Sequence, residues 1–221
     1  MKLRMSAIGQ IVVLAFALAA PAAGQAGPGA VRNHFDTDAM MREPAFFDFV
    51  VLGAPGKAQW IVTSETNPPS PPNDVTQIVK DRPADSIAAA IRRNVNLRDG
   101  RLSIVAKRGP ATGGLVFRMA GEKDFVALLM DLKTGDARLL SYRSGKREEL
   151  ASGKAALSTE WGTLAVELKG ADIKATWQGK PLLSAVDPAP VAGRAAMATA
   201  GPGLATFDEF LIDPADDATR F

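Results

Sequence analysis

Apolar and polar positions alternate with a period of two along most of the chain. Leu164, Val166 and Leu168 point one way, and Ala165, Glu167 and Lys169 the other. Gly170 and Ala171 turn the chain, after which Ile173, Ala175 and Trp177 return to the apolar side while Lys174 and Thr176 face water. Leu102, Ile104 and Ala106 alternate in the same way with Arg101, Ser103 and Lys107, Val105 being the apolar exception. Successive side chains leave a strand on opposite faces, so this pattern belongs to half-buried antiparallel strands. Similar segments predict strands at Trp60–Val62, Val75–Val79, Ser86–Arg92, Gly114–Met119, Phe125–Asp131, Asp136–Arg143, Trp161–Leu168, Arg194–Ala200 and Phe207–Leu211, the first strand starting near Phe46. Short strands at regular spacing, broken by Gly, Asp, Ser and Lys-Thr-Gly turns, predict an all-β fold of two packed antiparallel sheets. Asp38–Arg42 fits one helical turn, and Ile87–Ile91 is ambiguous because alanine favours helix, but it is read as strand since the segment is short and bounded by Pro83 and Asn94. Pro68, Pro69, Pro71 and Pro72 make 65–73 a long loop, because a proline lacks a backbone donor. The charged run Arg143–Glu149 reads as a solvated hairpin tip.

The two ends stand apart from this pattern. Lys2 and Arg4 precede the apolar run Ile11–Ala20, and small residues follow with candidate cleavage sites near Ala22 and Ala26. This is the layout of an export signal, and the run is shorter than the ~20 apolar residues of a membrane span. The predicted organisation is a signal at 1–26, a flexible leader at 27–44, one sandwich at 45–213 and a tail at 214–221. Once the signal is cleaved no stable membrane span is expected, and the protein is periplasmic or secreted. The whole chain carries 26 Lys and Arg against 24 Asp and Glu. Lys2 and Arg4 are the only charges in the signal, so the remainder is formally neutral. Nucleic acid and anionic membrane surfaces both demand surplus positive charge and are not expected partners. The absence of cysteine excludes disulfides, thiol catalysis and Cys-ligated metals.

Several segments carry a resemblance. They are Gly113–Arg118, Lys123–Ala127, Trp161–Glu167, Thr176–Leu182 and Thr206–Phe210, following Trp60–Val62 and the Pro-rich loop. In this order they resemble the concanavalin A-like, laminin-G-like jelly-roll superfamily, and most of all its exported 3-keto-disaccharide hydrolase-like domains. The resemblance covers about residues 46–213 and implies a jelly roll with a ligand groove on a concave sheet. Lectins, glycanases and adhesion modules all use this sandwich, so fold does not choose among them. Where relatives carry Asn-Tyr-Tyr-Val-Val-Arg-Ala-Asn, this chain has Asp124–Asp131, with Phe125, Leu129 and Asp131 at places that supply polar groups in the relatives.

Candidate chemistry is sparse. Glycoside cleavage needs two carboxylates across the scissile bond, and no strand carries a Glu-x-Asp-type pair. His34 is the sole histidine and lies in the leader, which leaves no Ser-His-Asp set. Alternation puts Arg118 with Val116, opposite Leu115, Phe117 and Met119, so its guanidinium is expected on the outer sheet face with Asp131 and Arg138 nearby. A planar group with five donors suits vicinal hydroxyls or a carboxylate. Trp60 is a further candidate as an aromatic platform, whereas Trp161 and Trp177 read as core. The resemblance implies calcium as a candidate ion near the last strand, held by Asp208 with Asp48; no other cofactor is expected. Three functions remain open: binding of a glycan or other polar ligand without catalysis, hydrolysis of a (keto-)disaccharide, and recognition of another protein.

Overall fold

The structure is a computed structural model and describes residues 29–65 and 67–215. The predicted export signal and all but the first two residues of the predicted tail lie outside the described residues. The described chain holds fifteen strands and no helix. In order they are β1 Val31–Asn33, β2 Phe47–Gly53, β3 Trp60–Thr63, β4 Asp74–Gln77, β5 Ser86–Arg92, β6 Gly100–Lys107, β7 Thr112–Gly121 and β8 Asp124–Asp131. Then follow β9 Asp136–Arg143, β10 Lys146–Lys154, β11 Trp161–Lys169, β12 Asp172–Trp177, β13 Lys180–Val186, β14 Arg194–Ala200 and β15 Ala205–Pro214.

They form two antiparallel sheets. Sheet A runs β13-β12-β11-β6-β15-β4-β3, with β1 also on β15; sheet B runs β10-β9-β8-β7-β14-β5-β2. These are the two packed antiparallel sheets that the alternation predicts, arranged as the jelly-roll sandwich that the resemblance implies. The inner faces meet in one large apolar core, to which Leu102, Ile104, Leu164, Val166, Leu168, Ile173 and Trp177 contribute from sheet A. Sheet B supplies Leu115, Phe117, Val126, Leu128, Met130 and Leu139. Gly162 makes room for Trp177, whose six-membered ring would overlap a Cβ at that position.

Three segments differ from the sequence reading. Val31–Asn33 pairs with Phe210–Ile212, and the Met41 N–H and Arg42 carbonyl bond to Val62, so 31–44 is part of the sandwich rather than a flexible leader. The charged run does turn at an exposed Ser144-Gly145 tip, as read, but from Lys146 on it is the start of a nine-residue strand, β10, paired with β9. Strand β13 begins at Lys180-Pro181 on the rim of sheet A. Edge strands carry charges and proline where central strands cannot, which hides them from a search for apolar alternation.

Candidate functional site

The registers place three transverse rows on the outer face of sheet B. Asp48, Ile91, Ala196, Val116, Ala127, Leu140 and Glu149 make the first. Val50, Ala89, Ala198, Gly114, Leu129, Arg138 and Ser152 make the second. Leu52, Ile87, Ala200, Thr112 and Asp131 make the third. Small apolar side chains fill the middle, and polar groups collect toward β9 and β10.

A groove of about 840 Å³ opens over these rows from β5 to β10. Ile87, Leu129, Leu140 and Tyr142 floor it, while Asp131, Asp136, Arg138, Arg147, Glu149 and Lys154 rim it. Alternation along β9 builds both parts, since Arg138, Leu140 and Tyr142 leave the strand on the same side. Tyr142 is the only tyrosine of the chain and stacks on Phe125, ring centroids 4.3 Å apart. Burial pushes its phenol up, against the opposing pull of the Arg147 guanidinium beside it.

The sequence candidates fare differently. Asp131 and Arg138 both line the groove. Asp131 Oδ1 also accepts the N–H groups of Lys133 and Thr134, which ties it to the β8–β9 turn. Arg118 does not reach the groove. It is 0% exposed, and its guanidinium donates to the buried Asp187 at 2.9 Å and to the Gly170 carbonyl. A bulge between Phe117 and Gly121, with Arg118 at φ +50°, breaks the alternation there, so Met119 rather than Arg118 joins Val116 in the outer apolar cluster. Trp60 is fully buried and stacks on Phe207 at 6.0 Å, which makes it core and not a platform.

Asp48 and Asp208 do not meet. Asp48 lies on sheet B, ion-paired with Arg93 at 2.6 Å, and Asp208 lies on sheet A beneath the Pro-rich loop. Both Asp208 oxygens are taken, by the N–H groups of Ser70 and Glu209, each at 2.7 Å. Among the described residues no three His, Cys, Asp or Glu side chains group to hold a metal. A calcium ion takes roughly six to eight oxygens, so this donor set does not fit one. His34, expected outside the sandwich, bonds Glu209 through Nδ1 at 2.8 Å, with Ser70 Oγ 3.4 Å from the same nitrogen. A triad needs the serine and the acid on opposite ring nitrogens.

Burial, with the Glu209 and Asp36 carboxylates adding to it, raises Asp208 to about 7 against the pull of the two N–H groups. A carboxyl raised on folding stabilises fully below its unfolded value near 3.8, and that contribution is lost as pH rises through 7. The melting-temperature contribution of this carboxyl is therefore expected to fall as pH rises from about 4 to about 7 and to level off above that, with Asp208→Asn flattening this part of the profile. Thermal melts across that range check it.

A second depression, of about 1170 Å³, lies on the outer face of sheet A. There Lys174, Glu167, Arg101 and Asp213 follow one another across four strands in alternating charge. Facing charges of opposite sign in this order suit a solvated sheet face.

The chain matches no known family model, and no curated protein matches it. Solved structures do. Carbohydrate-binding module CBM66 from Bacillus subtilis is similar at a TM-score of 0.56 and 16% identity, over 75% of this chain and 95% of that one. A protein of unknown function with a galectin-like fold, also from Bacillus subtilis, gives 0.57 at 12% identity over 89% and 99%. The Bacillus licheniformis β-glucanase gives 0.53 at 11% identity over 89% and 100%. The likeness is one of fold: the chain is a jelly-roll sandwich of the kind seen in carbohydrate-binding modules and glycosidases.

The groove residues beyond Asp131 and Arg138 were not singled out by the sequence reading. Tyr142, Arg147 and Glu149 fall at the end of one predicted strand and inside the supposed hairpin tip. The signal that finds Tyr142, with Leu140 beside it, is the continuation of the β9 alternation from Arg138.

Proposed function

We propose that this protein is an exported glycan-binding jelly roll that holds part of a sugar chain in the groove over β8, β9 and β10 without turning it over. The carrying observation is the pairing of an apolar floor, Leu129, Leu140 and Tyr142, with a rim of charged donors and acceptors, Arg138, Arg147, Asp131 and Glu149. A sugar ring is two-sided in the same way, with a C–H face for an apolar floor and hydroxyls for orienting polar groups. The fold shared with a carbohydrate-binding module supports the reading.

The finer resemblance, to 3-keto-disaccharide hydrolase-like domains, calls for a pair of carboxylates with one kept protonated. Asp131 and Asp136 flank the neck of the β8–β9 hairpin, but both are engaged there. Asp136 bonds Lys154 at 2.8 Å and Thr134 at 2.7 Å, and these bonds hold it below the usual carboxylate range. That shift is opposite to what a general acid needs, which favours binding over hydrolysis. Recognition of a protein is the third reading, and the polar rim fits it less well than an open apolar patch would.

The test is a thermal-shift and calorimetric screen of the purified protein against soluble oligosaccharides at millimolar concentration. At least one is expected to bind, and Arg138→Ala should weaken it by about tenfold or more, the worth of a charge-assisted hydrogen bond. Release of reducing sugar from the same samples would instead establish the hydrolase.

A further inference from the structure

The charges that rim the groove are not neutralised alike. Lys154 bonds Asp136 at 2.8 Å, and Asp131 Oδ1 accepts two N–H groups of the β8–β9 turn. Arg138 and Arg147 differ. Both are exposed on the rim, and among the described residues neither is ion-paired with a carboxylate. The registers give the reason. Arg138 has Leu129 on one side and Ser152 on the other, and Arg147 has Tyr142. No acid stands directly across from either. The outer face of sheet A is built the other way, with Lys174 and Arg101 both facing Glu167, and Arg101 facing Asp213 as well. An opposite charge across the strands is the ordinary means by which a sheet neutralises an exposed cation.

The two guanidiniums also act on one place. The Tyr142 phenol feels the charge of Arg147, across from it on β10, and of Arg138, which precedes it on β9. Asp85, just before β5, acts there with the opposite sign, so two cations meet one acid. Glu149 lies opposite Leu140, in the row between the two arginines. A neutral sugar offers such guanidiniums hydroxyl oxygens alone. An oxyanion offers charge-assisted bonds, shorter and roughly twice as strong, and its planar or tetrahedral oxygens suit the guanidinium fork.

We propose that the glycan taken by this groove is acidic, with oxyanions on its rings (the carboxylate of a uronic acid or a sulfate ester) that pair with Arg138 and Arg147 while Glu149 accepts from ring hydroxyls. The inference rests on the glycan reading of the groove and narrows it to one class of sugar. The preference is local. Outside the predicted signal the chain is formally neutral, so no long-range field gathers polyanions in general. The apolar floor of Leu129, Leu140 and Tyr142 favours a ring with a C–H face over a polyanion that has none.

Calorimetry of the purified protein compares oligomers of glucuronate, galacturonate and mannuronate with their methyl esters, and sulfated galacto-oligosaccharides with their unsulfated parents. Each pair differs in charge and keeps the same ring. At low ionic strength at least one charged member is expected to bind about tenfold or more tighter than its neutral counterpart, and added salt should narrow the gap. The pair that shows the gap identifies the oxyanion. Arg138→Gln and Arg147→Gln should each narrow it and together abolish it. Both side chains are exposed and without an ion-pair partner among the described residues, so the variants should melt as wild type does. Lys174→Gln, on the outer face of sheet A, should leave the gap intact. Neutral members that bind as tightly as charged ones overturn the inference and leave the glycan reading standing. A gap that survives in the double variant overturns it too, as does polyglutamate binding as tightly as the acidic glycan. Failure of every charged and neutral member to bind overturns the glycan reading together with it.

Discussion

Replacing Asp187 with alanine is expected to destabilise the protein by about 3–5 kcal/mol, the usual cost of leaving a buried charge without its partner. Arg118 and Asp187 are both 0% exposed. Arg118 donates to Asp187 Oδ2, and Arg143 donates to Oδ1 at 3.0 Å from a partly exposed position. The Asp187 backbone N–H is bonded by the Ala171 carbonyl, and Ala189 N–H caps the carboxylate. This network closes the end of the sandwich where β13 leaves sheet A and the chain crosses to β14. Asp187→Ala strands the Arg118 guanidinium, whose Nε already has no partner, with only the Gly170 carbonyl. Arg118→Met should cost less, because Arg143 still neutralises Asp187. The double variant should then lie closer to wild type than the sum of the single losses. For a domain of this size the Asp187→Ala loss corresponds to a fall of about 6–20 °C in melting temperature. Equal losses for the two single variants would contradict the assignment of Arg143 as second partner. The pH dependence follows. Burial pushes the Asp187 carboxyl up, but Ala189 N–H, Arg118 and Arg143 outweigh it and hold it below the ordinary range. Its contribution is therefore present above about pH 4 and is lost only as pH falls through the lowered folded value.

Trp60→Ala is expected to cost a similar 3–5 kcal/mol, the range for removing a buried aromatic side chain. Trp60 closes the core under the β3–β4 corner against Phe207, and the indole is fully buried. The cavity left behind would lie between the sheets, far from the β8–β10 groove. Trp60→Phe refills much of that volume and should recover most of the loss. A denaturant titration of the three proteins measures this. Glycan affinity per folded molecule should be unchanged in both variants, which separates a core tryptophan from a sugar platform.

How far the sequence reveals this molecule depends on strand position. Central strands such as β6, β11 and β12 sit between neighbours with one face in the core, so their alternation is legible. The edges β10 and β13 obey another requirement, to refuse partners, and the residues that meet it look like loop. Arg118 shows a second limit. A one-residue bulge reverses the side of everything after it, and nothing in Leu-Val-Phe-Arg-Met announces the bulge. The N-terminal segment looks flexible in sequence because Gly27-Pro28-Gly29 precedes a polar stretch; its order comes from pairing with β15, more than 170 residues away in the chain. In the groove, Asp131 and Arg138 were visible as polar residues in an apolar hairpin. Arg147 and Glu149 were not, because they join the site only through the pairing of β10 with β9.

The groove has a built-in reporter. Tyr142 is the single tyrosine, and it stands on the groove floor beside Arg147. Selective isotope labelling of tyrosine therefore yields one ring signal from the proposed site. Titration with a glycan that binds in the calorimetric screen should shift that signal saturably, with the same midpoint as the heat of binding. A Tyr142 signal that stays fixed while the glycan saturates the protein would place the sugar elsewhere and contradict the account.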